Sequence, residues 1–159
     1  MITLNGSQII RATPPTVWQF LTTPEVVTPL VPQVRRWRTT QTAPHEFEAD
    51  LAFVWAGQTI LFPSKITWYN EVAQKQAALL VAGCSGESGF TAETKMCLRA
   101  SFGLQTEVLW DVTAVLQGKL ADIPPQLTKA AALLAINQFF RAVRTELTTT
   151  TTPKPTPVD

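Results

Sequence analysis

The stretch from Asp122 to Leu147, DIPPQLTKAAALLAINQFFRAVRTEL, is the only segment long enough to form a major helix, so the rest of the chain must fold around it. Asp122 is placed to cap its N-terminus, accepting from backbone N–H groups that have no intrahelical partner. Pro124 and Pro125 fall in the first turn, where a missing N–H costs nothing. The remaining run of about 24 residues would extend roughly 36 Å. Ile136, Phe139, Phe140, Val143 and Leu147 share one face at helical spacing, with Gln138, Arg141, Arg144 and Thr145 opposite. The earlier half, Ala130 to Ile136, is apolar on every side, and such a helix has to be covered on more than one side. Two compatible readings follow: a core helix packed on a sheet, and a helix with one flank bordering an internal space that holds an apolar molecule.

What precedes the helix alternates with period two, the pattern of strands with one buried side. Ile2, Leu4, Gly6, Gln8 and Ile10 define the first strand. Thr13-Pro14-Pro15 and Thr23-Pro24-Glu25 then open two short helices, a cap followed by proline at the first helical position. Val34 to Thr40 is the next strand, with Arg35, Arg36 and Arg38 around Trp37, and a turn follows at Thr42-Ala43-Pro44. In the strand from His45 to Ala56, Phe47, Ala49, Leu51, Phe53 and Trp55 face one way and Glu46, Glu48 and Asp50 the other. A hairpin centred on Ala43 sets Arg38 opposite Glu48 and Arg36 opposite Asp50, pairs worth roughly 0.2–1 kcal/mol each. The same register puts Trp37 and Arg35 on the inner face. Later strands carry Ile60, Phe62, Ile66 and Trp68, then Ala77 to Ala82, then Phe90 to Ala100 and Val108 to Leu116, with Pro63 at a bulge or edge. The glycines of GCSGESG read as a hairpin connection, because no strand–loop–helix order surrounds them.

At 159 residues a single domain is expected. A net charge of +1 with 16% charged residues excludes a nucleic-acid surface, which needs clustered Lys and Arg. Cys84, Cys97 and His45 match no disulfide framework or metal spacing, so neither a metal nor a cofactor is expected. No apolar run is long enough to span a bilayer, and the N-terminus lacks the pattern of a secretory signal, which points to the cytoplasm. Thr148 to Asp159, rich in Thr and Pro, is expected to be a disordered tail after a domain covering residues 1–147. Strands in sequence followed by one helix argue for an α+β fold: a curved antiparallel sheet of six to seven strands wrapped around the long C-terminal helix, with two short helices after the first strand.

Gly6, Ala12-Thr13-Pro14 with Val17, Trp18 and Leu21, Thr23-Pro24-Glu25-Val26, Pro32, Gly118-Lys119-Leu120-Ala121 and Phe139-Phe140 together carry a resemblance. In their order and spacing the chain resembles the START-like helix-grip (SRPBCC) superfamily, and within it the group of the carbon monoxide dehydrogenase G subunit. Gln33, Gln117 and Ile123-Pro124 stand where that group usually has glycine. The resemblance implies an internal cavity for an apolar molecule, of the lipid or quinone class. It also implies a protein partner of the molybdenum hydroxylase type. The candidate ligand-lining residues are Trp37, Phe53, Trp55, Phe62, Trp68, Met96 and Trp110 on inward strand faces, with Ile136 and Phe140 on the helix. Pockets are mostly apolar with few placed polar groups. Polyketide cyclases and dehydratases share the fold, so an enzyme is one alternative and a ligand-free interaction subunit is another. The inward faces offer only Gln8, Arg35 and Tyr69 as polar groups and no nucleophile–base pair, which favours binding over catalysis.

Overall fold

A computed structural model describes residues 1–39, 45–55 and 57–151. The expected turn at Thr42-Ala43-Pro44 and the tail from Thr152 lie outside the described residues, and so does the side chain of Trp55. The first strand, β1 (Ile2–Ile10), leads into α1 (Pro14–Leu21) and α2 (Pro24–Val27), the latter continued by a 3-10 turn over Thr28–Leu30. Then come β2 (Val34–Thr39), β3 (Glu46–Trp55), β4 (Gln58–Val72), β5 (Gln76–Ser85), β6 (Ser88–Ser101) and β7 (Gln105–Gln117). A 3-10 turn over Gly118–Asp122 precedes α3 (Pro125–Thr151). Among the described residues the strands form one antiparallel seven-stranded sheet in the order β1-β7-β6-β5-β4-β3-β2. Apart from β1 and β7, neighbours in the sheet are also consecutive in sequence, and β1 lies at the edge against the last strand.

The alternation read from the sequence sets the faces. Arg38 pairs with Glu48, Arg36 with Asp50 and Trp37 with Ala49, the register that the charges predict. A bulge between Val34 and Arg36 changes one assignment: Val34, opposite Leu51, points inward, and Arg35 is exposed rather than on the inner face. One extra residue on one strand reverses the sidedness of everything before it. Pro63 lies opposite Asp50 on β3, just before β5 begins to pair with β4 at Ser64, so its missing N–H interrupts no ladder on the β5 side.

The helix starts later than the capping pattern predicts. Asp122 ends the preceding 3-10 turn, and Pro124 supplies the carbonyl that accepts from Leu127 and Thr128. Pro125 holds the residue before it out of the helical region, so Pro124 cannot join the first turn. At the other end the helix runs on through Thr148 to Thr151, a stretch expected to belong to the disordered tail. Adding residues to an existing helix fixes one backbone unit per hydrogen bond, which threonine tolerates.

The second half of α3 packs on the inner face of the sheet. Phe140, Val143 and Leu147 join Ile10, Val17, Leu21, Leu98, Val108 and Trp110 in the main buried cluster. Trp110 fits because β1 carries Gly6 opposite it, where an added Cβ would stand 2.7 Å from the indole. A second, separate cluster forms on β3–β5 around Ala49, Leu51 and Ile66, with Trp37, Phe47, Phe53 and Phe90 packed against it. Phe53, Phe62 and Phe90 meet edge-to-face at centroid distances of 5.6–5.8 Å, contacts worth about 0.5–1.5 kcal/mol each.

Candidate functional site

Inward side chains form rows across the sheet. One row runs from β1 to β4 as Leu4, Val112, Thr94, Leu79 and Trp68, each directly opposite the next. All five are half-buried, although they lie on the face that carries the core. The inward stripe of α3 behaves alike in its first half: Thr128, Ala132, Ala135, Ile136 and Phe139 are half-buried, whereas Phe140, Val143 and Leu147 are buried. On the outer side of the same half, Leu127, Leu133 and Leu134 keep 53%, 42% and 59% of their surface exposed. Protein interiors are ordinarily packed to crystal density. Leu4, Val112, Ile136 and Phe139 pack against the main cluster yet keep part of their surface exposed, so burial is complete at one end of the helix and partial at the other.

The nine sequence-derived candidates divide accordingly. Trp37, Phe53, Trp68, Met96 and Ile136 are half-buried on inward faces. Phe62, Trp110 and Phe140 are buried at 0%, 6% and 5% exposure, inside packed clusters. The side chain of Trp55 is not among those described. The structure brings Trp68 together with Leu79, Thr94, Val112 and Leu4, none of which stood out in the sequence. Aliphatic residues and one threonine on a strand look like any core face, and only the position of α3 decides which of them stay uncovered.

The polar chemistry of this face is sparse. Among the described residues, the paired inward positions of the sheet hold no Asp, Glu, His, Lys, Cys or Tyr. Ser64 donates to the carbonyl of Phe62 at 2.8 Å and Thr106 to that of Ala12 at 2.6 Å, so both hydroxyls serve the backbone. Gln8 is the inward polar residue of β1, and its Oε1 accepts from Nη1 of Arg144 at 2.6 Å. Arg144 was expected on the solvent side of the helix. It lies instead on the flank, about 40° from Phe140, and is half-buried against β1. Among the described residues, two buried polar atoms have no partner: Nε1 of Trp110 and Oγ1 of Thr128. Tyr69 faces outward, on the strand positions opposite to Trp68.

The outer face carries a groove of about 830 Å³ between β2 and β6. Its walls are the charged side chains of β2–β4 and its floor is the small residues Ala82, Gly83 and Cys84 on β5. Arg38 donates through Nε to Glu48 at 2.9 Å, and Lys65 reaches Glu46 at 2.8 Å, so much of the charge here is internally paired. Among the described residues, no group of three or more His, Cys, Asp or Glu is placed to hold a metal, and no helix is long and apolar enough to cross a membrane.

Comparison with known proteins agrees with this architecture. A family model for the carbon monoxide dehydrogenase G subunit (CoxG) matches residues 6–148. A conserved protein from Geobacillus kaustophilus superposes with a TM-score of 0.85 at 22% identity, covering 93% of this chain and 96% of its own. A START superfamily protein from Mycobacterium smegmatis superposes at 0.71 with 13% identity, covering 94% and 99%. An aromatase/cyclase from Streptomyces sp. R1128 superposes at 0.60 with 11% identity, covering 90% and 88%. At these identities the likenesses establish the helix-grip fold. No functionally curated protein matches the chain.

Proposed function

Because this chain belongs to the CoxG family, that of the carbon monoxide dehydrogenase G subunit, we propose that it binds an apolar small molecule of the lipid or quinone class. The molecule lies between the first half of α3 and the inner row Leu4–Val112–Thr94–Leu79–Trp68. The reading makes it a non-catalytic, cytoplasmic carrier or accessory of a carbon monoxide dehydrogenase-type molybdenum hydroxylase. The observation that carries it is the paired half-burial of that row and of the helical stripe from Thr128 to Phe139. Apolar surface left in contact with water on both sides costs about 25 cal/mol per Å², and an apolar occupant recovers that free energy. The short side chains of Ala132 and Ala135 leave room at the centre of the stripe.

The absence of titratable groups from the described, paired inward positions of the sheet supports binding rather than the acid–base chemistry of a cyclase. Native mass spectrometry of gently purified protein tests the reading. A co-purifying adduct with the mass of a lipid or quinone, lost on organic extraction, is the expected result. Protein that carries no adduct and takes up none from mixed lipid–quinone micelles would contradict it.

A further inference from the structure

A corner rich in hydrogen-bond donors lies where α3 crosses β1. Arg144 is half-buried there, and among the described residues its side-chain partner is the amide oxygen of Gln8 at 2.6 Å. Among the described residues no carboxylate lies within ion-pair distance of its guanidinium. A guanidinium stays charged at every physiological pH and presents five donors in a planar fork. A single amide oxygen uses one of these, and the half-buried guanidinium keeps donors free for a further acceptor. The amide nitrogen of Gln8 reaches Oδ1 of Asn137 only at 3.5 Å, the long limit for such a bond. The indole of Trp110 rests against Gly6, two residues before Gln8 on the same face of β1, and among the described residues its buried Nε1 has no partner.

Side-chain donors outnumber side-chain acceptors among Gln8, Asn137 and Arg144, which leaves this half-buried corner suited to a further acceptor. The corner also adjoins the apolar row, since Leu4, Gly6 and Gln8 are successive inward positions of one strand. We infer that this corner receives the carboxylate of an amphiphile whose hydrocarbon lies along the inner row: a fatty-acid-like ligand, with Arg144 binding the head and Gln8 orienting it. Arg–carboxylate pairing can be bidentate, which the fork of Arg144 permits and a lone amide oxygen does not satisfy. The inference rests on the proposed binding space and narrows it from apolar molecules in general to those with an anionic end.

The test uses cis-parinaric acid and its methyl ester as fluorescent probes, titrated into the full chain and into two variants. Gln8→Glu gives Arg144 a resident carboxylate, keeping the corner paired and the fold intact. Arg144→Gln removes the charge. The expected result is that the wild-type chain binds the acid at least about tenfold more tightly than the ester, and that both variants bring this acid-to-ester ratio down to near one. Equal affinity for acid and ester in the wild-type chain would overturn the anionic-head assignment and leave the apolar site standing. So would a neutral quinone such as decylubiquinone that binds more tightly than the acid and is indifferent to Gln8→Glu. Failure of both acid and ester to bind would remove the proposed binding space and this inference together. Thermal melts separate these outcomes from misfolding, with Gln8→Glu expected to melt at or above the wild-type temperature.

Discussion

At the scale of single residues, the fold turns on a few close approaches and on where charge is permitted. Gly83 on β5 faces inward, where an added Cβ would meet the hydroxyl of Ser64 and stand 2.9 Å from the ring of Phe90. Gly83→Ala should therefore cost about 1–3 kcal/mol by overpacking, measured as a lowered urea midpoint at unchanged slope. A change under about 0.5 kcal/mol would mean that the aromatic trio can move aside. Tyr69, the chain's one tyrosine, offers a second test. Burial pushes its phenol above the usual 10.0, and its hydrogen bond to Glu93 and that carboxylate's charge push the same way. The hydrogen bond and charge of Glu46 likewise raise Lys65 above 10.5. A folded pKa above the unfolded value gives stability that is complete below the unfolded value and is lost as pH rises through the folded one. Stability contributed by these two groups should thus hold through neutral pH and fall only in the alkaline range. Absorbance titration of the phenol should give a midpoint above 10.0, lowered by Glu93→Ala but still elevated because burial is the larger cause. A midpoint at or below 10.0 in the wild-type chain would refute this. Side-chain faces were legible in the sequence at most strand positions because alternation is local. Arg35 was not, since a bulge leaves no mark in the hydrophobic pattern.

At the scale of elements, α3 is two helices in one. Its second half is anchored by Phe140, Val143 and Leu147, and its first half is apolar, exposed on one side and incompletely packed on the other. Phe140→Ala should cost about 3–5 kcal/mol. Leu134→Gln, at an exposed position, should change stability by less than about 0.5 kcal/mol. Native-state hydrogen exchange should show the amides of residues 130–136 exchanging faster than those of 140–147, because stability follows local burial. Uniform protection along the helix would contradict the division. The sequence revealed the helix and its all-round apolar half, but the cover on more than one side that this pattern predicts is not there: Leu127, Leu133 and Leu134 stay exposed. The start of the helix was misplaced by the Pro124–Pro125 pair, whose second member restrains the first. The flank position of Arg144 was legible, since four residues of helix set it about 40° from Phe140, but a helical wheel does not say that β1 lies on that flank.

At the scale of the whole molecule, two apolar clusters share one sheet without merging among the described residues. The main one lies under the second half of α3 with α1, and the other lies across β3–β5. The half-buried row from Leu4 to Trp68 links them, with Leu4 and Val112 packed against the main cluster and Leu79 against the other; of the large aromatic residues singled out from the sequence, Trp68 alone belongs to it. Size drew attention to Trp110, Phe62 and Phe140, which fill the core, whereas the uncovered positions are set by contacts between residues more than 100 apart in sequence, such as Leu4 and Val112. The most direct test is methyl-resolved nuclear magnetic resonance during titration with cis-parinaric acid. Shifts are expected at Leu4, Leu79, Val112 and Ile136, with Leu61 and Val115 on the outer face unmoved. Shifts confined to the outer face or to Leu104 in the β6–β7 turn, or none at saturating probe, would contradict it.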